Sequence, residues 1–265
     1  MKIARYLTED STPRSGRVDG GILHELASDG SPTGRMDELA DVTLLPAIEA
    51  SAKFICVGLN YRDHAAEAGA AIPERPLLFA KLSSTLIASG DDILIPDGAT
   101  QVDWEAELGV VIGRTCSQVS VADALDHVWG YVPVNDVSAR DFQFADGQWM
   151  RGKSVDTFGP VGPYLVTADE VPDPQALTVT ATVNGRVMQN SSTSEMIFSV
   201  ADIISYVSQT ITLERGDLIA TGTPAGVGAG MNPPVYLVDG DTVVVSIERL
   251  DPLVNPVGRR PRATP

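Results

Sequence analysis

The alternation of apolar and polar positions along the chain predicts many short strands. Apolar runs rich in Val, Ile, Leu, Phe and Tyr recur between Gly, Pro and Asp residues, and this length and composition are typical of strands. The predicted single strands are 2–7, 53–59, 76–82, 92–96, 104–113, 128–136, 164–167, 217–220 and 241–250. The pattern favours a predominantly antiparallel or mixed sheet.

Two further segments predict hairpins. RVDGGILHEL (17–26) contains an Asp-Gly-Gly turn, and TVTATVNGRVMQN (178–190) places Asn184 and Gly185 between two alternating runs. Asn and Gly tolerate the positive φ angles of a two-residue hairpin turn. These turns support a sheet in which consecutive strands run antiparallel.

Few segments have helical character. Residues 120–128 and 199–209 both open with Ser-Val-Ala-Asp, in which Ser can cap free N–H groups and Asp lies favourably in the first turn. The fold class is therefore predicted to be mainly β (α+β), with a few helices.

The chain is predicted to divide near residue 52. Residues 1–52 form a small N-terminal β domain, in which 27–52 mix turn formers with one weak apolar segment and serve as a connector. Residues 53–257 form the main domain. The basic, Pro-containing stretch 258–265 is predicted to be a flexible tail.

The charge of the chain limits its partners. Acidic residues outnumber Lys and Arg by 35 to 19, which gives a net charge of -16. Such a surface repels phosphate backbones and anionic lipids, so we expect neither a nucleic-acid nor a membrane partner. An anionic small substrate would need a local positive centre, either basic side chains or a bound cation.

Cysteine usage and the N-terminus indicate a cytoplasmic protein. Cys56 and Cys116 lie in apolar surroundings and are predicted to be buried free thiols, which suits a reducing compartment. The first residues, MKIARYLTED, lack the apolar core of a signal peptide, and no apolar run is long enough for a membrane span.

The stretch VDWEAELGVVIG (102–113) carries two carboxylates in a strand that is otherwise apolar. Side chains alternate across a strand, so Glu105 and Glu107 emerge on one face. Two ionised carboxylates there would repel each other and lose hydration unless a cation or strong donors compensate. The alternative is a solvated strand edge, where paired charges are ordinary.

A third acid favours the cation. Asp136 ends an apolar run and opens a turn, so its carboxylate can converge on the end of another strand. Three oxygen ligands without a Cys or His cluster favour Mg²⁺, Mn²⁺ or Ca²⁺ over zinc and leave positions open to water and substrate.

These motifs together resemble a known family. DWEAELGVVIG (103–113), NDVSARDFQ (135–143), GKSVDTFGPVGP (152–163) and TGTPAGVG (221–228) resemble the ordered signature of the fumarylacetoacetate hydrolase family, and VGLNYRDHAAE (57–67) is similar to its lid segment. The likeness spans about residues 53–257. It differs at KLSS (81–84), where relatives often have Pro after Lys, and the N-terminal unit resembles that of short bacterial members.

The resemblance implies a fold, a metal and an assembly. It implies a mixed β-sandwich roll with few helices, in which Glu105, Glu107 and Asp136 hold Mg²⁺ or Mn²⁺, with Ca²⁺ as a possible substitute. It also implies a homodimer.

His64 and Glu67 are candidates for a catalytic pair. They lie three apart in a segment with helical character, so they can face one another as a base and its orienting carboxylate, or form a plain surface pair. The resemblance to the lid segment, in which a His and a Glu together activate water, implies the catalytic role.

Further candidates bind the substrate. The resemblance implies that Lys153 reaches the substrate's oxygens and that Gln143 binds a carbonyl; a solvated lysine and a structural amide are the alternatives. TGTPAGVG lacks the features of a phosphate loop or a dinucleotide site. By resemblance, Gly222 and Thr223 bind the substrate's acid end, although a plain tight turn would explain the same residues.

The expected function is a divalent-metal-dependent enzyme that acts on a small 2-oxo or enol dicarboxylate through a stabilised enolate. By resemblance, the reaction is C–C hydrolysis of an acylpyruvate or isomerisation of a hydroxymuconate-type dienol in aromatic-compound catabolism. Oxaloacetate decarboxylation is the alternative within the family. A noncatalytic binding protein braced by a metal is the alternative of another class.

Overall fold

Short strands and a few helices make up the computed structural model, which describes residues 1–260. The strands are β1 Lys2–Leu7, β2 Pro13–Asp19, β3 Ile22–Leu26, β4 Pro32–Glu38, β5 Thr43–Leu45, β6 Phe54–Gly58, β7 Leu77–Ala80, β8 Leu86–Ile87, β9 Ile93–Ile95, β10 Val102–Asp103, β11 Ala106–Ile112, β12 Val128–Asn135, β13 Ser138–Ala139, β14 Gly159–Pro160, β15 Leu165–Thr167, β16 Thr178–Val183, β17 Arg186–Ser192, β18 Leu218–Ala220, β19 Thr242–Ile247 and β20 Leu253–Arg259. The α-helices are α1 Arg62–Glu67, α2 Arg140–Ala145, α3 Met150–Lys153 and α4 Val200–Ser208. The predicted mainly β fold class is confirmed.

Two sheets enclose the main core. The larger runs in the order β4-β3-β2-β1-β15-β12-β11-β18-β6-β7, with β5 also paired to β1, and the smaller runs β17-β16-β19-β20-β9. Strand β11 is buried at every position. Leu108 and Val110 belong to the core shared with the smaller sheet, whereas Val111 belongs to a second apolar cluster. Both faces of β11 are therefore covered, which explains its nearly continuous apolar sequence.

Both predicted hairpins are present. Strands β2 and β3 join through Gly20 and Gly21, which have φ angles of 56° and 92°, and β16 and β17 join through Asn184 and Gly185 at 51° and 76°. The positive φ angles are the reason that these turns use Gly and Asn.

One of the two predicted helices is present. Helix α4 begins after Ser199, whose side chain forms a reciprocal capping box with Asp202, so the helix at 199–209 is confirmed. The helix at 120–128 is wrong: the segment forms a 3₁₀ turn over Ala124–His127 in which Ala124 alone is buried. A single buried side chain provides little packing to stabilise a longer helix.

The predicted connector 27–52 also contains regular structure. Strands β4 and β5 lie within it. Strand β4 forms the outer edge of the larger sheet with most of its side chains exposed, so its sequence lacks the alternation that identifies a half-buried strand. The connector prediction is wrong for this reason.

The N-terminal strands continue the larger sheet through the pairing of β1 with β15. The division into 1–52 and 53–257 stays a prediction. Of the predicted tail 258–265, Gly258 and Arg259 belong to β20, which pairs with β9, and residues 261–265 lie outside the described residues.

Cys56 and Cys116 are free and buried, as predicted. Among the described residues, no helix combines the length and apolar character required to cross a lipid bilayer.

The close approach of β12 to β15 predicts a site that is sensitive to a single methyl group. A Cβ added at buried Gly130 would lie 2.3 Å from the carbonyl oxygen of Val166, whereas one added at exposed Gly147 would meet no atom of the described residues within 4 Å. Gly130→Ala is expected to lower the free energy of unfolding by about 1–3 kcal/mol through overpacking. Denaturant titration checks this value, and Gly147→Ala is the matched control; equal stability of the two variants would contradict the packing.

Candidate active site

The antiparallel register of β11 and β12 brings three carboxylates together. Ala106 of β11 pairs with Asn135 of β12. Glu105 and Glu107 flank the first of these residues, and Asp136 follows the second. Ligand oxygens of the three carboxylates lie within 4.8 Å of one another, and all three side chains are buried. The structure therefore places the three predicted ligands at one point, away from a solvated strand edge.

Lysine 153 lies against two of these acids. Its Nζ donates to Glu105 Oε2 at 2.7 Å and to Asp136 Oδ2 at 2.8 Å, and it lies 5.1 Å from the centre of the Phe79 ring. The side chain is almost completely buried. The alternative of a solvated lysine is wrong.

Two further buried cations complete the surroundings. Lys81 donates to Asp136 Oδ1 at 2.5 Å. Arg140, the first residue of α2, donates from Nε to Asp103 Oδ1 at 2.7 Å and from Nη2 to Glu105 Oε1 at 2.5 Å. Among residues 1–260, each of these carboxylates except Glu107 thus has a direct ionic partner.

These contacts define the charge cluster. Its members are Asp103, Glu105, Glu107, Asp136, Lys81, Arg140 and Lys153, all of them buried. Four carboxylates and three cations leave one net negative charge when every group is ionised. Unbalanced charge is costly in a buried site.

The carboxylate whose charge is not balanced by a direct ion pair is that of Glu107. Burial raises the pKa of its carboxyl group well above the ordinary value, and the charges of Asp136 and Glu105 raise it further. Burial would also raise the pKa of Glu105, but the charges of Lys153 and Arg140 outweigh burial and hold this pKa below its usual range. The pKa values of the two glutamates are therefore shifted in opposite directions.

The cluster fits a divalent cation. Three convergent carboxylates are the hard oxygen ligands that Mg²⁺ and Mn²⁺ prefer. A divalent ion would change the net charge of the cluster from one negative to one positive. That charge would suit an anionic substrate, which the acidic surface otherwise repels.

Helix α1 carries the predicted pair. His64 Nδ1 lies 3.0 Å from Glu67 Oε2, and both side chains are mostly buried. The other Glu67 oxygen accepts the backbone N–H of Gly226 at 2.8 Å. Because Glu67 accepts at Nδ1, it favours the tautomer in which Nε2 is free to take a proton.

The imidazole also acts on the charge cluster. A positive charge on His64 contributes to lowering the pKa of Glu105. Asn60, just before α1, donates from Nδ2 to the carbonyl of Thr221 at 2.7 Å. The segment that begins at Thr221 donates backbone N–H groups both to Glu107 and to Glu67. The pair and the three carboxylates therefore belong to one site.

The segment 221–230 supplies backbone donors to this site. Gly222, at a φ of 97°, donates its N–H to Glu107 Oε2 at 2.8 Å. The Thr223 hydroxyl donates to the carbonyl of Ala106 and accepts from Gln189. Gly222 and the Thr223 hydroxyl thus have contacts within the protein, and their contact with a substrate stays a prediction.

Gln143 lies in α2 with its Oε1 accepting from Arg140 Nη1 at 3.0 Å. The residue is buried. This contact orients the amide so that Nε2 is the group left to donate. Its predicted bond to a substrate carbonyl stays a prediction.

Sequence reasoning did not assign roles to Asp103, Arg140 or Lys81. Asp103 lies two positions before Glu105, so the alternation that groups the two glutamates also indicates Asp103. Arg140 lies four positions after Asp136, at the start of a helix. Lys81 follows an apolar run, as Asp136 does. This shared position at the end of a strand could have indicated that Lys81 lies near the carboxylates.

Family comparisons cover almost all of the chain. The fumarylacetoacetate (FAA) hydrolase C-terminal model matches residues 53–258, and the Rv2993c-like N-terminal model matches residues 1–46. A Burkholderia ambifaria protein, provisionally named a hydrolase, is 54% identical over 200 residues, which are 75% of this chain and 71% of that protein.

Solved structures share the fold over nearly the full length. The 2-hydroxyhepta-2,4-diene-1,7-dioate isomerase of Mycobacterium marinum is 42% identical, with a TM-score of 0.86 over 99% of this chain and 100% of that one. Maleylpyruvate hydrolase of Sphingobium sp. SYK-6, in complex with manganese(II) and pyruvate, is 27% identical, with a TM-score of 0.81 over 98% and 100%.

The family model covers well over half of the chain, and relatives above 40% identity share its whole fold. The chain belongs to the fumarylacetoacetate hydrolase family.

Proposed function

We propose that the protein is a divalent-metal-dependent enzyme acting on a 2-oxo dicarboxylate or its enol, of the kind formed when aromatic rings are broken down. The reaction is hydrolysis of a C–C bond in an acylpyruvate-type substrate or isomerisation of a hydroxymuconate-type dienol. The observation that carries this proposal is the convergence of Glu105, Glu107 and Asp136 beside the His64–Glu67 pair.

The three carboxylates are the proposed ligands of Mg²⁺ or Mn²⁺. When bound, the ion supplies Lewis-acid polarisation of the substrate's 2-oxo group. The manganese in the maleylpyruvate hydrolase complex supports this choice of ion.

Hydrolysis begins with proton transfer to His64. Its Nε2 takes a proton from water, while Glu67 holds the Nδ1 proton and stabilises the imidazolium that forms. The hydroxide adds to the distal carbonyl carbon of the substrate. The C–C bond between the distal carbonyl carbon and C3 of the pyruvate part then breaks. The acyl part leaves as a carboxylic acid, and the electron pair of the bond forms the enolate of pyruvate. C3 of this enolate takes the proton from the His64 imidazolium, which gives pyruvate and restores the neutral base.

Lys153 faces the charge that develops. Two of its three N–H groups point to Glu105 and Asp136, and the third can donate to a substrate oxygen. Gln143 Nε2 donates to a carbonyl, and the backbone N–H of Thr223 binds the acid end. These positions orient the substrate before any bond changes.

Isomerisation needs the same residues without the water. His64 would take the proton of the dienol's 2-hydroxyl group and return it to a carbon of the resulting dienolate, which leaves a 2-oxo group and one C=C bond. Lys153 and the loaded cluster would stabilise the negative charge between these two transfers. The 42% identical isomerase from Mycobacterium marinum favours this second reaction.

We also propose a homodimer in the cytoplasm. The two free, buried thiols suit a reducing compartment. Sedimentation of the purified protein tests the assembly.

A substrate screen tests the proposed function. Protein loaded with Mn²⁺ is expected to turn over acylpyruvates or hydroxymuconate-type dienols, to lose this activity in a chelator and to regain it with added Mn²⁺. Oxaloacetate belongs in the panel, because turnover of this substrate alone would favour a decarboxylase. Inactivity across the panel with Mn²⁺ bound would favour a noncatalytic binding protein.

Removing the proposed base should affect hydrolysis specifically. His64→Ala is expected to lower hydrolytic turnover by about 10²- to 10⁴-fold and to leave Mn²⁺ affinity unchanged, because His64 is not among the three proposed ligands. Steady-state kinetics and calorimetry provide the two measurements. His24→Ala, in β3, is the matched control, and unchanged turnover of the His64 variant would remove this residue from the mechanism.

Removing one ligand should separate metal binding from stability. Loss of a residue that only hydrogen-bonds a metal ligand typically weakens metal binding by roughly 10- to 100-fold. Glu107→Gln removes a proposed ligand itself, so it is expected to weaken Mn²⁺ binding by more than this. The pKa of Glu107 is higher in the folded protein than in the unfolded chain. The free energy of unfolding of the wild type therefore falls as the pH rises through the folded-state pKa and the buried carboxyl group ionises. The metal-free variant should therefore be at least as stable as the wild type at pH 8.

Calorimetry and thermal unfolding at pH 6 and pH 8 measure these two effects. Glu74→Gln, at an exposed position outside the charge cluster, is the matched control. Normal Mn²⁺ uptake by the Glu107 variant would contradict the proposed site.

A further inference from the structure

Lys81 is a fully enclosed cation that the proposed reaction does not use. Its side chain has no solvent exposure. The Nζ donates to Asp136 Oδ1 at 2.5 Å and to the carbonyl of Val137 at 3.1 Å. Its backbone N–H donates to the carbonyl of Phe54 at 3.0 Å. The ammonium group is thus fixed between the end of β7 and the turn after β12.

Lys81 and Lys153 occupy different sides of Asp136. Lys153 bonds to Oδ2 and also reaches Glu105, whereas Lys81 bonds to Oδ1. The Oδ1 contact fixes the orientation of the carboxylate. It also draws charge density away from any ion that shares Asp136 as a ligand.

The net charge of the cluster depends on Lys81. With it, the ionised charge cluster carries one net negative charge, and a divalent ion converts this to one positive charge. Without it, the cluster would carry two negative charges and the loaded centre none. A unit charge a few Å from the ion, in a buried site, acts strongly on every other charge there.

We propose that Lys81 is a positioning residue that limits the affinity of the carboxylates for a divalent cation and keeps the loaded centre positive toward an anionic substrate. This inference rests on the metal site of the proposed function, though not on which reaction the enzyme catalyses. The Asp136 carboxylate is shared between a fixed ammonium group and the ion. Sharing lowers the affinity of the site for the ion, and the positive charge of Lys81 raises the affinity of the loaded site for an anion.

Replacing Lys81 with Met tests the charge. Lys81→Met is expected to bind Mn²⁺ at least about tenfold more tightly than the wild type, as measured by calorimetry. The Mn²⁺-loaded variant should bind oxalate, a dianionic probe, at least about tenfold more weakly. A role confined to structure would change neither dissociation constant.

Thermal unfolding supplies a second readout. Loss of the ammonium leaves Asp136 buried without a partner at Oδ1, so the metal-free variant should melt at a lower temperature. Mn²⁺ should restore most of the difference, because the ion provides the missing positive charge. A melting temperature lowered equally with and without Mn²⁺, at unchanged Mn²⁺ affinity, would overturn the inference.

Lys53 offers a matched control. Its Nζ pairs with the buried Asp217 at 2.5 Å, outside the charge cluster. Lys53→Met should lower stability to the same extent with and without Mn²⁺ and should leave both dissociation constants unchanged. A change in Mn²⁺ affinity as large as that in the Lys81 variant would show a general charge effect and count against the inference.

Two further results separate the possible failures. If the wild type takes up no Mn²⁺, the proposed metal site is wrong, and the inference about Lys81, which rests on it, is overturned as well. If Lys81→Met does not fold in metal-free buffer, it is expected to fold when Mn²⁺ is present. Failure to fold with Mn²⁺, while the charge-preserving Lys81→Arg folds and binds as the wild type does, would show that the ion cannot replace the ammonium and would overturn the inference.

Discussion

The site depends on four carboxylates held in a low-dielectric interior against three cations. Each acid alone would be costly to bury, and the direct ion pairs from Lys81, Arg140 and Lys153 offset most of that cost. The remaining negative charge falls on Glu107, whose pKa burial and its acidic neighbours raise. A cluster with this imbalance has a physical reason to attract a divalent ion.

The segment 221–230 connects this cluster to the His64–Glu67 pair. Three of its backbone N–H groups donate to carboxylates, in chain order Gly222 to Glu107, Gly226 to Glu67 and Ala229 to Asp103. A Cβ at Gly226 would lie 2.1 Å from the carbonyl of Met188, and one at Gly230 would lie 2.5 Å from the Glu67 carboxyl carbon. The small residues of the segment are thus required by close approach, which a plain tight turn would not demand. One backbone segment thereby bonds both to the partner of His64 and to two acids of the charge cluster.

The protein combines two opposite electrostatic environments. Its net charge of -16 disfavours the approach of anions, whereas a cluster loaded with a divalent ion would carry a net positive charge. Binding of an anionic substrate would then depend on the interior site. This contrast ties the proposed substrate class to the buried cations.

The sequence by itself determined most of the longer strands, the two hairpin turns, helix α4 and the candidate ligands, because these follow from local alternation, turn chemistry and capping. Its family resemblance also indicated His64, Glu67 and Lys153. Tertiary structure alone decided that strand β4 forms an exposed edge and that 120–128 does not continue as a helix, since both outcomes depend on neighbours distant in sequence. The roles of Asp103, Arg140 and Lys81 were likewise decided only in three dimensions. These roles depend on ion pairs between residues that β11, β12 and β7 bring together. Periodicity along one strand contains no information about such partners.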